Sequence, residues 1–467
     1  MRVAILHYHL RPGGVTRVIE LAADALTAAG VDVLVIAGEA QPASGRLAAG
    51  RVAVVPALAY GEPAGEADVL RREVSLACRR IWGGEADVLH THNHALGKNA
   101  SFPSAVAAWA REGRAVLAQI HDFAEKARPA NYAYLRGALG SPLPIYPHGG
   151  RASLAVLTRH ASQLLGGGIP VVPNPIVPPD IRRPVSAAEL GCDRFRVYPS
   201  RGLRRKNLGE FLLLASCAPA GTKFVVTSSP SSEADARVYS LWRKLAAEWG
   251  LPVVFDAAES LGRGVYDFLP AAEFAVTTSV EEGFGMAFLE PWLAGVGVSG
   301  RDLPDVTADF QSAGIGLSHL YRRLAVPHGI IDRSSHIAAA KLAHDAARAA
   351  YGLPPDPASA AGAAESAWDA DGVDFSALPE SGQITAIRAA LDRKFEARIA
   401  AAPPGAITTN RAAIAQNFPS AAYGKRLLEI YGGLVSRPDS PPVFLDPEPV
   451  LRAALAASPM RFTIYPP

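Results

Sequence analysis

Residues 3–36 leave little choice of architecture. Val3-Ala-Ile-Leu6 is an unbroken apolar run, the pattern of a strand covered on both faces in a parallel sheet. His7-Tyr-His-Leu-Arg-Pro-Gly-Gly14 interrupts it, and from Val15 to Ala29 the apolar residues Val18, Leu21, Ala22, Ala25 and Leu26 recur at helical spacing. Val31-Asp-Val-Leu-Val-Ile36 is a second strand. Strand, glycine loop, helix and strand in this order predict a β-loop-α-β unit of a doubly wound α/β sheet. The dinucleotide-binding fingerprint that opens such units reads G-x-G-x-x-G. Here the loop is Pro12-Gly-Gly-Val-Thr-Arg17, which disfavours NAD.

With 467 residues the chain is long enough for two domains, each with its own core. Hydrophobic content of 49% beside 19% charged residues describes a soluble globular protein. A net charge of +2 gives no global argument for nucleic acid or an anionic membrane. Cys78, Cys192 and Cys217 are too few for a disulfide framework and form no zinc-like pattern, so no metal is expected. The apolar run at the N-terminus is too short for a signal peptide, and no run approaches the ~18 apolar residues of a membrane span. A cytoplasmic location is expected.

Several further strand ends carry polar residues. Ala86-Asp-Val-Leu-His-Thr-His-Asn-His94 ends in histidines whose alternation puts His90, His92 and His94 on one side, though no carboxylate or cysteine accompanies them as a metal ligand. Val116-Leu-Ala-Gln-Ile120 leads into His121-Asp122, a pair that either faces the crevice where α/β ligands bind or closes a turn. Pro173, Pro175, Pro178, Pro179 and Pro184 crowd into a dozen residues and predict a semi-rigid linker. Beyond it, the strand Phe195-Arg-Val-Tyr-Pro-Ser200 is followed by Arg201-Gly-Leu-Arg-Arg-Lys206. Such a pair of cations suits a diphosphate, with Arg201 able to bind oxygens bidentately and Lys206 acting as a mobile charge. A solvated basic turn would look the same.

The densest signal is Val280-Glu-Glu-Gly-Phe-Gly-Met-Ala-Phe-Leu-Glu-Pro-Trp-Leu-Ala-Gly295. It follows the strand-like Phe274-Ala-Val-Thr-Thr-Ser279, and a helix is expected from Met286 to Ala294. Gly283 and Gly285 allow close approach of backbone to ligand, and the amides of Gly283, Phe284, Gly285 and Met286 would face outward at the helix mouth. Glu290 follows Glu282 by eight residues, about two helical turns.

Taken in order, Gly13-Gly14, His121-Asp122, Pro173-Asn-Pro175, Arg201 with Lys206, and Glu282 with Glu290 resemble the motifs of retaining family 4 glycosyltransferases. The resemblance implies the GT-B fold: two Rossmann-like domains facing each other across a cleft. It departs from the pattern at Asn207 and Ser228–Ser232, where the family carries glycines, and it thins after Gly300. Arg301-Asp-Leu-Pro-Asp305 could continue the donor loop. An extra helical insertion is expected at about 308–400, with a mobile loop over 352–372. The expected domains are an acceptor-side unit at 1–180, a donor unit at 181–435 and a segment crossing back at 436–467.

By resemblance, Arg201 and Lys206 neutralise the departing diphosphate, Glu282 holds sugar hydroxyls, Glu290 the ribose, and His121 with Asp122 approaches the donor sugar. Gly13 and Gly14 would lie beside donor or acceptor phosphate. The implied co-substrate is a UDP-, GDP- or ADP-sugar, with no cofactor and no metal. The acceptor is unidentified, and peripheral membrane contact and oligomeric state stay open. A non-hydrolysing sugar-nucleotide epimerase and a catalytically silent nucleotide-sugar-binding protein are the alternatives.

Overall fold

A computed structural model of the chain describes every residue except 43–44, 62–66, 231, 457–460 and 463–467. It divides into two compact units. One comprises Met1–Pro175, Ala350–Leu353 and Phe418–Leu455, the other Ile176–Ala349, Pro354–Asn417 and Ala456–Pro467. The division falls inside the proline cluster, where residues 172–186 form neither helix nor strand.

The first unit is built on six parallel strands: β1 (Arg2–His7), β2 (Asp32–Ala37), β3 (Val52–Val54), β4 (Val88–His92), β5 (Val116–Ile120) and β6 (Ala152–Val156). Their order across the sheet is β3-β2-β1-β4-β5-β6. Side chains of a strand alternate between faces, and here both faces are covered. Val3, Ile5, Val33 and Val35 pack with Val18, Ile19, Ala22 and Leu26 of the helix Gly14–Ala28. Ala4, Leu6, Leu34 and Ile36 pack with Leu70, Val74, Phe102 and Val106 on the other side. That double coverage is why β1 reads as a continuous apolar run rather than an alternating one.

The crossing back begins earlier than residue 436. The helix Ser420–Ser436 already belongs to the first unit, where Tyr423, Leu427, Tyr431 and Leu434 join the core beside the helix Gly14–Ala28. Gly424 permits this approach, since a Cβ there would stand 2.8 Å from the Cβ of Ala25.

Five parallel strands form the second unit: β7 (Arg194–Arg201), β8 (Thr222–Ser228), β9 (Val253–Val254), β10 (Ala275–Thr277) and β11 (Val298–Gly300), in the order β9-β8-β7-β10-β11. Beyond them the chain adds the helices Pro304–Ser312, Arg333–Ala350, Pro357–Glu365 and Glu380–Leu391 and a small antiparallel sheet. Phe375, Leu378, Ala386 and Ile387 from this addition share one core with Phe211, Leu212, Tyr239 and Trp242. It is therefore a packed part of the unit.

Two expectations are corrected here. Residues 352–372 are no mobile loop: they contain the helix Pro357–Glu365 and lead through Trp368–Asp369 into a hairpin strand. Asp356 caps that helix by accepting from the Ser359 amide at 3.0 Å, with Pro357 in its first turn, and Ala360, Ala363 and Ala364 are buried at helical spacing. Nor does Arg301 belong to a donor loop. It is 1% exposed and donates to Glu210 Oε2 at 2.7 Å and to Asp374 Oδ1 at 2.9 Å. It thereby ties the helix Leu208–Ser216 and the end of β11 to the added hairpin strand Gly372–Asp374.

Candidate functional site

In each sheet the strand order reverses beside the first strand, between β1 and β4 in the first unit and between β7 and β10 in the second. At such a point the loops leaving the carboxyl ends part and leave a crevice. In the second unit those loops carry Lys206 and Glu282. The Val280 amide donates to the Arg205 carbonyl at 2.9 Å, and the Thr278 hydroxyl to the Lys206 carbonyl at 2.7 Å, so the two loops are clamped together. Lys206 Nζ then lies 2.5 Å from Glu282 Oε1, with both side chains under 10% exposed. Ser279 Oγ donates to the same carboxylate oxygen at 2.7 Å and is bonded in turn to the Tyr198 hydroxyl at 2.6 Å.

Burial pulls the Lys206 ammonium below its ordinary pKa, opposed by Glu282. Burial also pushes on Glu282 from the other side, but the charges of Lys206 and Arg205 hold its carboxyl below the usual range. Glu282 is therefore ionised at neutral pH, and its charge is what supports the Lys206 ammonium against burial. Asn207, in place of the family's glycine, takes φ 50° and ψ 56°, a left-handed conformation that asparagine tolerates. Its side chain donates to Glu210 at 2.8 Å and accepts from Gln383 at 3.1 Å. Arg201 closes β7 beside Ser228 with its side chain exposed.

The segment after Glu282 differs from the expected helix 286–294. A 3-10 turn spans Met286–Phe288 and a single α-turn spans Glu290–Leu293. Pro291 lacks an amide hydrogen and its ring would meet the carbonyl four residues back, so one continuous helix cannot form. Glu282 and Glu290 accordingly do not share a helix. Glu290 accepts from the Tyr266 hydroxyl at 2.8 Å. Gly285 adopts φ 84°, while the Phe284 ring is buried against Phe310 at 5.3 Å, so Phe284 offers this loop its backbone only. Gly283 lies in the loop between Glu282 and that turn.

In the first unit Gly13 caps and Gly14 opens the helix after β1. Asn93 follows β4 with φ 54°, and its Oδ1 accepts from the His121 and Asp122 amides at 2.7 and 3.0 Å. His121 Nε2 meets His92 Nδ1 at 2.8 Å, and Asp122 Oδ1 accepts from Arg128 at 3.0 Å. The His90 and His92 rings lie side by side with centroids 4.3 Å apart and planes tilted by 36°, as alternation allows, and His92 stacks on His121 at 5.1 Å. The turn at Asn93 sends His94 elsewhere, to the Ile145 carbonyl at 2.7 Å. Among the described residues no group of three or more His, Cys, Asp or Glu could hold a metal ion, and no helix is long and apolar enough to cross a membrane.

Solved structures share this pair of sheets. Sucrose-phosphate synthase from Thermosynechococcus elongatus matches over 93% of this chain and 98% of its own, with a TM-score of 0.55 at 15% identity. Anabaena HepE, solved in complex with UDP and glucose, matches over 93% and 100%, with a TM-score of 0.51 at 13% identity. The fold is GT-B. By sequence, the chain is 27% identical over 253 residues to mannosylglucosyl-3-phosphoglycerate synthase of Petrotoga mobilis, covering 49% of each. It thus spans about half the length of that curated relative. No protein-family model matches the chain.

Five fully buried histidines of the first GT-B unit are neutral at pH 7. Burial takes His7 and His90 to about 3 and His94 and His121 to about 4, and His92 well below its ordinary value. In the unfolded chain they protonate near pH 6.5, whereas the folded unit resists protons until far lower pH. Their contribution is present above 6.5 and is lost as pH falls, at about 1.4 kcal/mol per pH unit for each histidine. Thermal unfolding followed from pH 7 to pH 4 should show a steep fall of the first transition, and a flat profile would contradict this burial.

Glu125 behaves oppositely. It is fully buried, its Oε1 finds no hydrogen-bond partner among the described residues, and burial raises its carboxyl to about 7. The folded state holds this proton more tightly than the unfolded chain, so stability from Glu125 is present below 4.5 and lost as pH rises to about 7. Glu125→Gln should stabilise the protein by about 3 kcal/mol at pH 8. It should change nothing at pH 4, and Tyr146 can still donate to the retained oxygen, which it now reaches at 2.9 Å.

Ser279, Tyr198 and Tyr266 in the second unit, and Asn93 in the first, hold the polar side chains of their own unit and were missed from sequence. Ser279-Val-Glu-Glu282 has the S-x-x-E form in which a hydroxyl and a carboxylate reach each other across three residues, a signal that was available. Nothing local announces Tyr198 or Tyr266, which meet their partners only through strand and loop packing.

Proposed function

We propose that the chain is a family 4-like, retaining glycosyltransferase that moves a sugar from a nucleoside diphosphate donor to an acceptor, without a metal ion. The observation that carries this is the Lys206–Glu282 pair at the β7/β10 switch point, a buried cation and anion presented together by two clamped loops. A diphosphate arriving there offers Lys206 a second anionic partner, and Arg201, leaving the same strand, adds a bidentate cation. Negative charge grows on the diphosphate as the sugar–oxygen bond breaks. Cations fixed beforehand stabilise that charge without reorganising.

Lys206 turning to phosphate frees Glu282 to accept from sugar hydroxyls. The acceptor oxygen attacks the anomeric carbon from the face the diphosphate leaves, and the departing phosphate oxygen takes the acceptor proton. No protein nucleophile is needed, and the configuration is kept. Glu290, on Tyr266, would accept from the ribose, and the amides of Gly283, Gly285 and Met286 would face phosphate. His121 and Asp122 would meet the donor sugar, and Gly13 and Gly14 would approach phosphate. HepE of the same fold has been solved with UDP-glucose, which makes it the first donor to try.

The test is a thermal-shift panel of UDP, GDP, ADP and their glucose and mannose conjugates, with magnesium and with EDTA. Binding to the folded state raises the melting temperature by mass action. One nucleoside diphosphate should shift it equally under both conditions, and its sugar conjugate should then glycosylate an acceptor with retention. A shift that EDTA abolishes would remove metal independence. Donor interconversion without acceptor would favour the epimerase, and binding without any turnover the silent protein.

A further inference from the structure

The turn that carries Lys206 is fixed from outside the switch-point loops. Asn207, the next residue, is 1% exposed and left-handed, and its φ of 50° sets the direction in which the chain leaves Lys206. A non-glycine residue persists in this conformation only where its surroundings hold it. Glu210, bonded to Arg301, takes the Asn207 side-chain N–H, so the Asn207 oxygen is left facing Gln383 of the helix Glu380–Leu391. Gln383 Nε2 donates to that oxygen at 3.1 Å and to the Leu378 carbonyl at 3.3 Å. Both partners are acceptors, so turning the amide over would lose both bonds.

The sequence makes room for this contact. A Cβ on Gly209 would stand 2.0 Å from Gln383 Oε1, so glycine there admits the side chain. About one turn earlier on the same helix, Glu380 pairs with Arg204, whose backbone amide donates to Asp235 at 2.8 Å. Residues 204–207 are thus tied to the helix Glu380–Leu391 at both ends. The Lys206 amide donates to the Leu203 carbonyl at 3.0 Å and its carbonyl accepts from Thr278, so the lysine backbone follows these anchors. Gln383 is 1% exposed, and its Oε1 has no hydrogen-bond partner among the described residues. An apolar side chain would fill that space without burying an unmet oxygen. What the amide adds is its bond to Asn207.

We propose that Gln383 is a positioning residue for the Lys206 ammonium, acting through the left-handed turn at Asn207. When that turn relaxes, the peptide between Lys206 and Asn207 rotates, and the ammonium leaves the place where it meets Glu282 and an arriving diphosphate. A glycine takes a left-handed turn unaided. The asparagine of this chain takes it with the help of a glutamine 176 residues away. A displacement of about 1 Å at a group that meets the reacting atoms is enough to cost tenfold or more. This inference rests on the glycosyltransferase reading only in naming a diphosphate as what Lys206 meets. The placement of Lys206 against Glu282 stands apart from it.

Two readouts test this on the full chain. Pyrophosphate, which carries no base, is titrated in EDTA into wild type, Gln383→Met, Asn207→Gly and the double variant, at a temperature where all are folded. Gln383→Met should weaken pyrophosphate binding about tenfold in wild type and less than about twofold beside Asn207→Gly, because glycine holds the turn without the amide. The second readout needs no ligand: acetylation by trace acetic anhydride, read by peptide mass spectrometry. Lys206 should react about fivefold faster in Gln383→Met than in wild type as its amine comes free of burial and of Glu282. The exposed Lys244 should react equally in both and serves as the internal control. A glutamine that only supports the fold would lower the melting temperature and leave Lys206 acetylation unchanged, which would overturn the inference. Equal losses of pyrophosphate binding in the two backgrounds would also overturn it. Failure of every protein to bind pyrophosphate, with the acetylation difference kept, would count against the diphosphate reading and support the positioning of Lys206.

Discussion

Lys206→Ala should lower sugar transfer by about 10²–10³-fold, the loss that follows removal of one preorganised charge from a transition state. It should also destabilise the second unit, because Glu282 then remains buried without a cation. Breaking a buried pair from one side costs about 3–5 kcal/mol. The two effects can be separated. Lys206→Met with Glu282→Gln leaves no unpaired charge and should recover most of the melting temperature, yet its turnover should stay as low as that of Lys206→Ala. A double variant that recovers activity together with stability would mean that Lys206 only holds the loops together. The Glu282 carboxyl lies below its ordinary value in the folded state, so this pair stabilises the unit above pH 4.5 and weakens as pH drops further.

Arg301→Met should be the most destabilising single change in the second unit. Arg301 satisfies Glu210 through Nε at 3.0 Å and Nη2 at 2.7 Å, Asp374 at 2.9 Å, and the Arg322 carbonyl at 2.8 Å. Tyr321 donates to Glu210 at 2.8 Å, and Arg461 gives Asp374 a second cation at 3.2 Å. Asp374 is accordingly held well below the usual carboxylate range, while burial pushes Glu210 up in spite of its partners. Without Arg301, Glu210 keeps no cation. The loss should be about 3–5 kcal/mol, or roughly 10 °C in the melting of a unit this size. Scanning calorimetry would resolve it as a drop in one transition only. Adding Glu210→Gln to Arg301→Met should return part of the loss, whereas a fall of less than about 1 kcal/mol in the single variant would show that the network is not under strain when broken.

What the chain determined alone was local. The apolar runs of β1 and β2, the spacing of Val18, Leu21, Ala22 and Leu26, and the proline cluster each name an element from neighbours only a few residues apart. Parallel pairing then follows because strands with two apolar faces need helices on both sides. That the cations follow β7 and the glutamates follow β10 was legible for a similar reason, since each set stands directly after an apolar run that names its strand. The break at Pro291 and the cap at Asp356 were also written locally, and were obscured by reading a motif in one place and composition in the other.

Tertiary structure alone decided the pairings. Lys206 and Glu282 are 76 residues apart, and only the β7-next-to-β10 order brings them together. Arg301, on the page of the sequence, is one more basic residue after a glycine. Its role comes from Glu210 and Asp374, which lie 91 and 73 residues away. Gln383 is one more glutamine on a helix until Asn207, 176 residues away, meets it. Periodicity encodes which face of an element is buried, because that depends on the element's own geometry. Which charge meets which is set by chain crossings and burial, and no local pattern carries that information.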